Sequence, residues 1–554
     1  PDWLRVPVGE GASRWSTIPF EKTVLVVVRT FTTVGWLFDL LPELLADLRI
    51  QVLFTLNGVG SAYQDGVLDE VRARGGRVLP WEQAVATRFD IAIAASYYGG
   101  LEQLRSPLLI LPHGAVYGKL ISNPQDGLGP LPAIDGKGPR TTIAIAHPDG
   151  GGRWRDHPDG QRVVVSGDTC FDRLEASWSS REDYRKSLGV GDRRLVVLSS
   201  TWGPLSLMGQ KPGLVNALLR ELPVDEFVLA AALHPNIWIG HGSWQLRLWL
   251  ATAIESGLRL IPFREGWRAT LVAGDMLIGD HGSVTVYGAC LGLPTLLGAF
   301  GDGELLEESP TLQLGRLAPR LENGRPLLDQ VADVGFEIDR DRFATVRDRS
   351  FAYRGSALTR LRSTVYELIG LPERERPVRV LPVEAPEPEG SDPTALLAYC
   401  GVDYDSEGDI AIRVSRFPAV AGPSENAVES AGFLCVNERE PDRARRESAS
   451  LIASAAPAGT IEQAESWCAR TLDAYPGALL VCAAVAGRQL VASRDGAQVR
   501  LDGQPALDVT LAGCAIHALV SAGILLRDGA LTLRVGAESL RLRLTVMQAQ
   551  RVLR

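Results

Sequence analysis

Between Gly274 and Phe300 the chain reads GDMLIGDHGSVTVYGACLGLPTLLGAF. Met276 to Gly279 is an apolar run of the length of a buried parallel strand. Asp280, His281, Gly282 and Ser283 then interrupt it with small and polar side chains. Ser283 is placed to cap a helix running to about Leu291, and Gly292 and Pro294 stop that helix. Thr295 to Leu297 opens the next strand. A strand, a small-residue turn and a helix N-terminus together make an anion site. Unpaired backbone N–H groups and the positive end of the helix dipole face whatever lies above the turn. Gly282 lets a phosphate approach the backbone closely. Such a turn is equally common as an ordinary connection in an α/β domain, so its company decides. His113 and His234 each follow an apolar run, where an imidazole suits a general base or a phosphate donor. Arg29 and Thr201 also stand at the ends of such runs.

Alternating strands and helices must position these side chains. Lys22 to Val28, Ile50 to Leu56, Arg77 to Leu79, Asp90 to Ala95 and Leu108 to Leu111 read as strands. Helical periodicity lies between them at Leu37 to Leu48 and Asp65 to Arg74, and Arg29 to Gly35 reads as a polar loop. Thr141 to Ala146 and Val163 to Val165 add two strands around a Gly/Pro/Asp-rich loop. A second alternation starts at Arg194, with strands ending at Thr201, His234 and Pro262 before the 274–300 stretch. Phe351 to Ile369 is a long amphipathic helix with the option of folding back on the first domain. The pattern predicts parallel, doubly wound sheets with ligands at the carboxyl ends of the strands.

The expected fold is α/β: two Rossmann-like domains followed by a smaller C-terminal α+β domain. The expected boundaries are 1–180, 181–375, a Pro/Glu-rich linker at 376–393, and 394–554. Residues 460–473 look helical, and short strands and turns follow from Gly477. This last part carries no catalytic motif and is expected to offer at most a protein-interaction surface.

Composition bounds the function. At 554 residues, with 45% hydrophobic and 22% charged residues, the chain is of the soluble globular type. A net charge of −9 gives no global field to attract nucleic acid, and no nucleic-acid partner is expected. No uninterrupted apolar run reaches the ~18 residues of a membrane span. The first residues, PDWLRVPVGEGASRW, lack the apolar core of a signal peptide. The expectation is a cytoplasmic protein, with peripheral contact to a membrane left open. The seven cysteines are scattered without CxxC pairs, and the seven histidines show no ligand spacing. Neither a structural metal nor a cofactor is expected.

Residues 20–370 resemble the CDP-glycerol glycerophosphotransferases of teichoic acid synthesis. Four stretches carry the resemblance. LPHGAVYGK at 111–119 is similar to that family's His-Gly-x-x-x-Lys segment, one residue longer here. VSGDTCFD at 165–172 is similar to its Gly-x-x-x-x-Asp crossing. Leu195 to Trp202 resembles the strand ending in Pro-Thr-Trp, with Ser200 in place of proline. His234-Pro235 and residues 277–297 are similar to its His-Pro and Asp-x-x-Ser elements. The resemblance implies the two-Rossmann GT-B architecture and a nucleotide diphosphate-linked donor whose group passes to a hydroxyl acceptor. It also implies an acidic residue on the helix after the turn, where Tyr287 or Gly288 stands here. Asp302 or Glu304, from the next loop, is the expected substitute for holding ribose hydroxyls.

On this reading His113 is the expected base, and His234 is the expected partner of a donor phosphate. Lys119, Thr201, His281, Gly282 and Ser283 form the expected donor-phosphate site. Asp280 fixes the loop and Arg29 offsets phosphate charge. Two rivals remain. One is a nucleotide-sugar 2-epimerase on the same fold. The other is a non-catalytic GT-B-derived scaffold or sensor, which the missing helix carboxylate favours.

Overall fold

The computed structural model describes residues 3–9, 11–45, 47–56, 66–96, 99–111, 114, 141–151, 162–404, 409–422, 432–503 and 507–548. Its first sheet holds β1 (Lys22–Val28), β2 (Ile50–Leu56), β3 (Val78–Leu79), β4 (Ile91–Ala94), β5 (Leu108–Ile110), β6 (Thr141–Ile145) and β7 (Arg162–Val165). The order is β3-β2-β1-β4-β5-β6-β7, and every pairing is parallel. The runs VLVVV of β1 and IAIA of β4 are buried, because helices cover both faces of a parallel sheet.

The second sheet holds β8 (Arg194–Ser200), β9 (Phe227–Leu233), β10 (Arg259–Ile261), β11 (Met276–Gly279) and β12 (Thr295–Leu297), in the parallel order β10-β9-β8-β11-β12. Both sheets have the Rossmann order, in which the first strand is central and the chain then crosses to its other side.

The helix after β1 spans Phe31–Leu45 and so begins inside the expected polar loop. The threonines are the reason. The Thr33 hydroxyl accepts the Thr30 N–H at 2.9 Å, and the Thr30 hydroxyl accepts the Thr33 N–H at 3.4 Å. This reciprocal pair caps the helix. The Ala357–Ile369 helix packs Leu358, Leu361, Val365 and Ile369 into the first domain's core. The Thr169–Ala176 helix places Phe171 and Leu174 in the core of the second. The chain therefore crosses twice between the domains.

The C-terminal part contains β13 (Ala395–Tyr404), β14 (Ile410–Pro418), β15 (Phe433–Asn437), β16 (Leu451–Ala453), β17 (Leu480–Val485), β18 (Arg488–Ser493), β19 (Gln498–Gly503), β20 (Gly529–Val535) and β21 (Glu538–Gln548). Its content is α+β, and its strands close into a barrel in the order β13-β14-β20-β21-β19-β18-β17-β16-β15. The Val509–Ser521 helix packs Leu511, Cys514, Ile516 and Leu519 into that barrel's core. Arg416 on β14 ties the barrel to the second domain. Its guanidinium donates to Asp225 at 3.0 Å and to Asp508 at 2.7 Å. Asp225 precedes β9, so the barrel sits at the amino ends of the second sheet's strands.

Residues 376–393 contain no helix or strand, yet they lie along the second domain. The Tyr184 hydroxyl donates to the Val383 carbonyl at 2.6 Å, and the Ser177 hydroxyl accepts the Val383 N–H at 2.9 Å. Glu389 and Leu260 exchange two backbone bonds of 2.9 Å. Asp392 accepts from Arg259 at 2.6 Å and from Arg193 at 3.1 Å. A chain ending at Pro382 removes these partners and leaves Arg259 buried without its carboxylate. It is expected to melt several degrees below a chain ending at Pro393, since each broken charged bond costs about 1–3 kcal/mol. Equal melting temperatures would show that the strap contributes nothing.

Candidate functional site

Each sheet has one point where successive connections run in opposite directions, and crevices for ligands form there. In the second sheet that point lies between β8 and β11, whose carboxyl ends lead into Thr201 and Asp280. Asp280 is fully buried. One carboxylate oxygen accepts the Thr201 and Leu207 N–H groups, both at 2.8 Å, and the other accepts the Gly282 N–H at 2.9 Å. The side chain thus pins the 201–207 turn to the 280–283 turn. Burial pushes its pKa up, while these N–H donors and the neighbouring His281 oppose that shift.

Gly282, rather than Ser283, is the N-cap of the Ser283–Cys290 helix, and no side chain caps it. Ser283 is the first helical residue. A Cβ at Gly282 would lie 3.0 Å from both an Asp280 oxygen and the Thr201 Cβ, so a side chain there would press on both turns.

The His281 ring is fully buried. Its Nδ1 accepts the Gly301 N–H at 3.1 Å, and its Nε2 lies 3.0 Å from Glu304 Oε2. An Nδ1 that accepts places the proton on Nε2, pointing at the carboxylate. The printed bonds of the His281 ring thus run to the 301–304 loop. Asp302 is exposed and clamped by Arg320 through two bonds of 3.1 and 2.9 Å, which lower its pKa.

His234 ends β9. Its N–H donates to the Ser200 carbonyl at 3.0 Å, and its Nδ1 accepts the Asn236 N–H at 3.0 Å as the N-cap of the Pro235–His241 helix. The cap fixes the tautomer, leaving Nε2 as the proton-bearing nitrogen. Capping and donation to a phosphate are compatible at this residue.

In the first sheet the switch point lies between β1 and β4, and Arg29 bonds Ser96 there at 3.3 Å. His113 and Lys119 lie outside the described residues. Gly114 lies within them, with φ +111, and a Cβ there would come 2.9 Å from the Ser283 hydroxyl. Gly114 therefore lies against the helix N-terminus of the other domain. Two contacts absent from the sequence reading join the domains nearby. Phe31 packs edge-on against Phe263 at 5.1 Å, and Glu70 pairs with Arg264 at 3.4 Å.

Tyr287 and Gly288 face the core. The Tyr287 hydroxyl donates to Asp168 at 2.9 Å, and the ring stacks on Phe351 at 5.6 Å. A Cβ at Gly288 would lie 2.5 Å from Leu277. Asp168 also caps the Thr169–Ala176 helix by accepting the Phe171 N–H at 2.8 Å. Among the described residues no group of three or more His, Cys, Asp or Glu side chains is arranged to hold a metal ion. Nor is any described helix long and apolar enough to cross a membrane.

No protein-family model matches the chain, and no curated protein matches its sequence. Solved structures similar to it include Anabaena Alr3699/HepE in complex with UDP and glucose. That likeness has 14% identity and a TM-score of 0.38, over 63% of this chain and 100% of that one. The wall teichoic acid polymerase TagF is similar at 13% identity and a TM-score of 0.45, over 63% and 89% of the two chains. The S. aureus MnaA–UDP co-structure is similar at 11% identity and a TM-score of 0.38, over 64% and 99%.

The Asp168–Tyr287 pair makes stability depend on pH. Burial raises the Asp168 pKa from 3.8 to about 7, against the opposing bonds from Phe171 and Tyr287. The protonated acid is thus favoured by folding. That contribution is full below the unfolded value and is lost as pH rises through about 7. Asp168→Asn cannot ionise, so its melting temperature should gain on the wild type between pH 5 and pH 8. A difference that stays constant over that range would rule out a neutral Asp168.

Proposed function

We propose that this chain is a GT-B-type transferase. It moves a glycerol-phosphate or sugar group from a nucleotide-activated donor to a hydroxyl acceptor. The observation that carries the reading is the approach of Gly114 to Ser283. It sets the residue after His113 against the anion-binding end of the second domain's helix.

Chemistry at such a place needs few parts. The donor pyrophosphate lies on the turn 280–283, where first-turn N–H groups and the helix dipole stabilise it. Asp280 does not repel it strongly, because its charge is already spread over three N–H donors. The His234 Nε2–H, and Arg29 from the facing domain, offset the charge that grows on the leaving phosphate. His113 takes the proton of the acceptor hydroxyl as that oxygen attacks. The facing domain excludes water from the transfer.

The scaffold reading keeps one observation in its favour, since Tyr287 is turned into the core and offers no carboxylate to a ribose. Calorimetry with CDP, UDP and GDP, joined to a rate assay, separates the two. The transferase reading expects one nucleotide to bind. His113→Ala should then lower turnover by about a hundredfold or more with donor affinity nearly unchanged. Equal turnover in the variant would remove His113 as the base. A folded protein that binds none of the three would leave the scaffold reading.

A further inference from the structure

We propose that Cys435 and Cys514 form a dithiol modification site, which a hydroperoxide converts to a disulfide inside the C-terminal barrel. The site is independent of the nucleotide-donor reading. All seven cysteines are free thiols. Cys435, Cys482 and Cys514 belong to the barrel's core, and Cys400 packs against it.

The helix at Val509–Ser521 is brought close to the strands by a glycine. A Cβ at Gly513 would lie 2.1 Å from the Leu451 Cδ1 on β16 and 2.4 Å from the Cys482 Sγ on β17. With no side chain at 513 the helix lies against both strands. Cys514 is the next residue, and its Sγ is 3.8 Å from the Cys435 Sγ on β15. The two sulfurs are in van der Waals contact, so no third atom has to leave before they close to the ~2 Å of a disulfide. Both partners are anchored. Cys435 pairs with Leu396 of β13 on one side and Leu451 of β16 on the other. Asp508 caps the helix, accepting the Thr510 and Leu511 N–H groups, both at 3.1 Å, and it also accepts from Arg416 at 2.7 Å.

The surroundings favour Cys514 as the attacking sulfur. Hydrogen bonds from Cys400 and Cys435, together with the Arg416 guanidinium, lower its pKa against the effect of burial. Burial raises that of Cys435. The thiolate is the reactive form, which gives the two sulfurs different roles. The Cys514 thiolate attacks one oxygen of the hydroperoxide. The O–O bond breaks, and the departing alkoxide or hydroxide takes up the proton that Cys514 gave up. The Cys435 sulfur then attacks the resulting sulfenic acid. The S–O bond breaks, and the hydroxyl leaves as water with the Cys435 proton. Two thiols lose two electrons in all, and the hydroperoxide gains them.

The test treats the folded full-length protein with hydrogen peroxide. Remaining thiols are then alkylated in denaturant, and the peptides are mapped by mass spectrometry. The expected result is the loss of two thiols, a Cys435–Cys514 linked peptide pair, and recovery of all the thiols with dithiothreitol. Cys400→Ser and Cys482→Ser, which keep the pair, should still form the link. Cys514→Ser and Cys435→Ser should form none. A full set of free thiols after treatment overturns the proposal. So does a link made by Cys400 or Cys482 in its place, or oxidation of Cys514 that dithiothreitol does not reverse.

Discussion

The carboxylate of Asp280 is the constraint on which the site depends. It sits in the core between the two central strands of the second sheet and satisfies backbone donors from both turns above them. Three buried N–H groups left without it would cost about 1–3 kcal/mol each. The turn after β8 and the start of the Ser283–Cys290 helix then hold one geometry. Gly282 is packed closely by the two fastened turns. The next residue, His281, is locked by Gly301 and faces Glu304. One buried acid thus fixes the 201–207 and 280–283 turns against each other, and the residue next to it bonds Glu304.

The second constraint lies where the domains join. Tyr287 is on the same helix, one turn in from the cap. It touches Asp168 and Phe351 on the two crossing segments, and its ring lies tilted 6.4 Å from that of Trp36 of the first domain. The Ser283–Cys290 helix is thereby tied to both crossings. Phe31 with Phe263, and Glu70 with Arg264, join the domains at a separate place. The barrel is docked through Arg416 and Asp225 at the opposite end of the second sheet.

The parallel sheets were legible because their strands are buried on both faces and write unbroken apolar runs. The 274–300 unit was legible because glycine, proline and small polar residues mark its joints. Other features carry weaker local signals. Thr30 and Thr33 read as a loop because their hydroxyls suit a turn as well as a helix cap. The barrel was not legible, because its closure pairs β14 with β20 and β13 with β15, and no short window records such pairings. The strap at 376–393 looked like a tether because proline and glutamate dominate its composition. Its attachments to Arg259, Arg247 and Tyr184 are side-chain bonds from distant positions. Ser283 and Gly282 exchanged roles at the cap, a one-residue difference that only backbone geometry decides. His281 looked like a phosphate donor, since its engagement by Gly301 and Glu304 depends on a loop some twenty residues on.

The central claim is that a nucleoside diphosphate sits on the two turns that Asp280 joins. Backbone hydrogen exchange, measured with and without saturating CDP or UDP, tests it most directly. The account predicts slowed exchange in residues 201–207 and 280–286 together, with the barrel strands unchanged. Bound nucleotide that protects neither turn, or that protects the barrel instead, would contradict it.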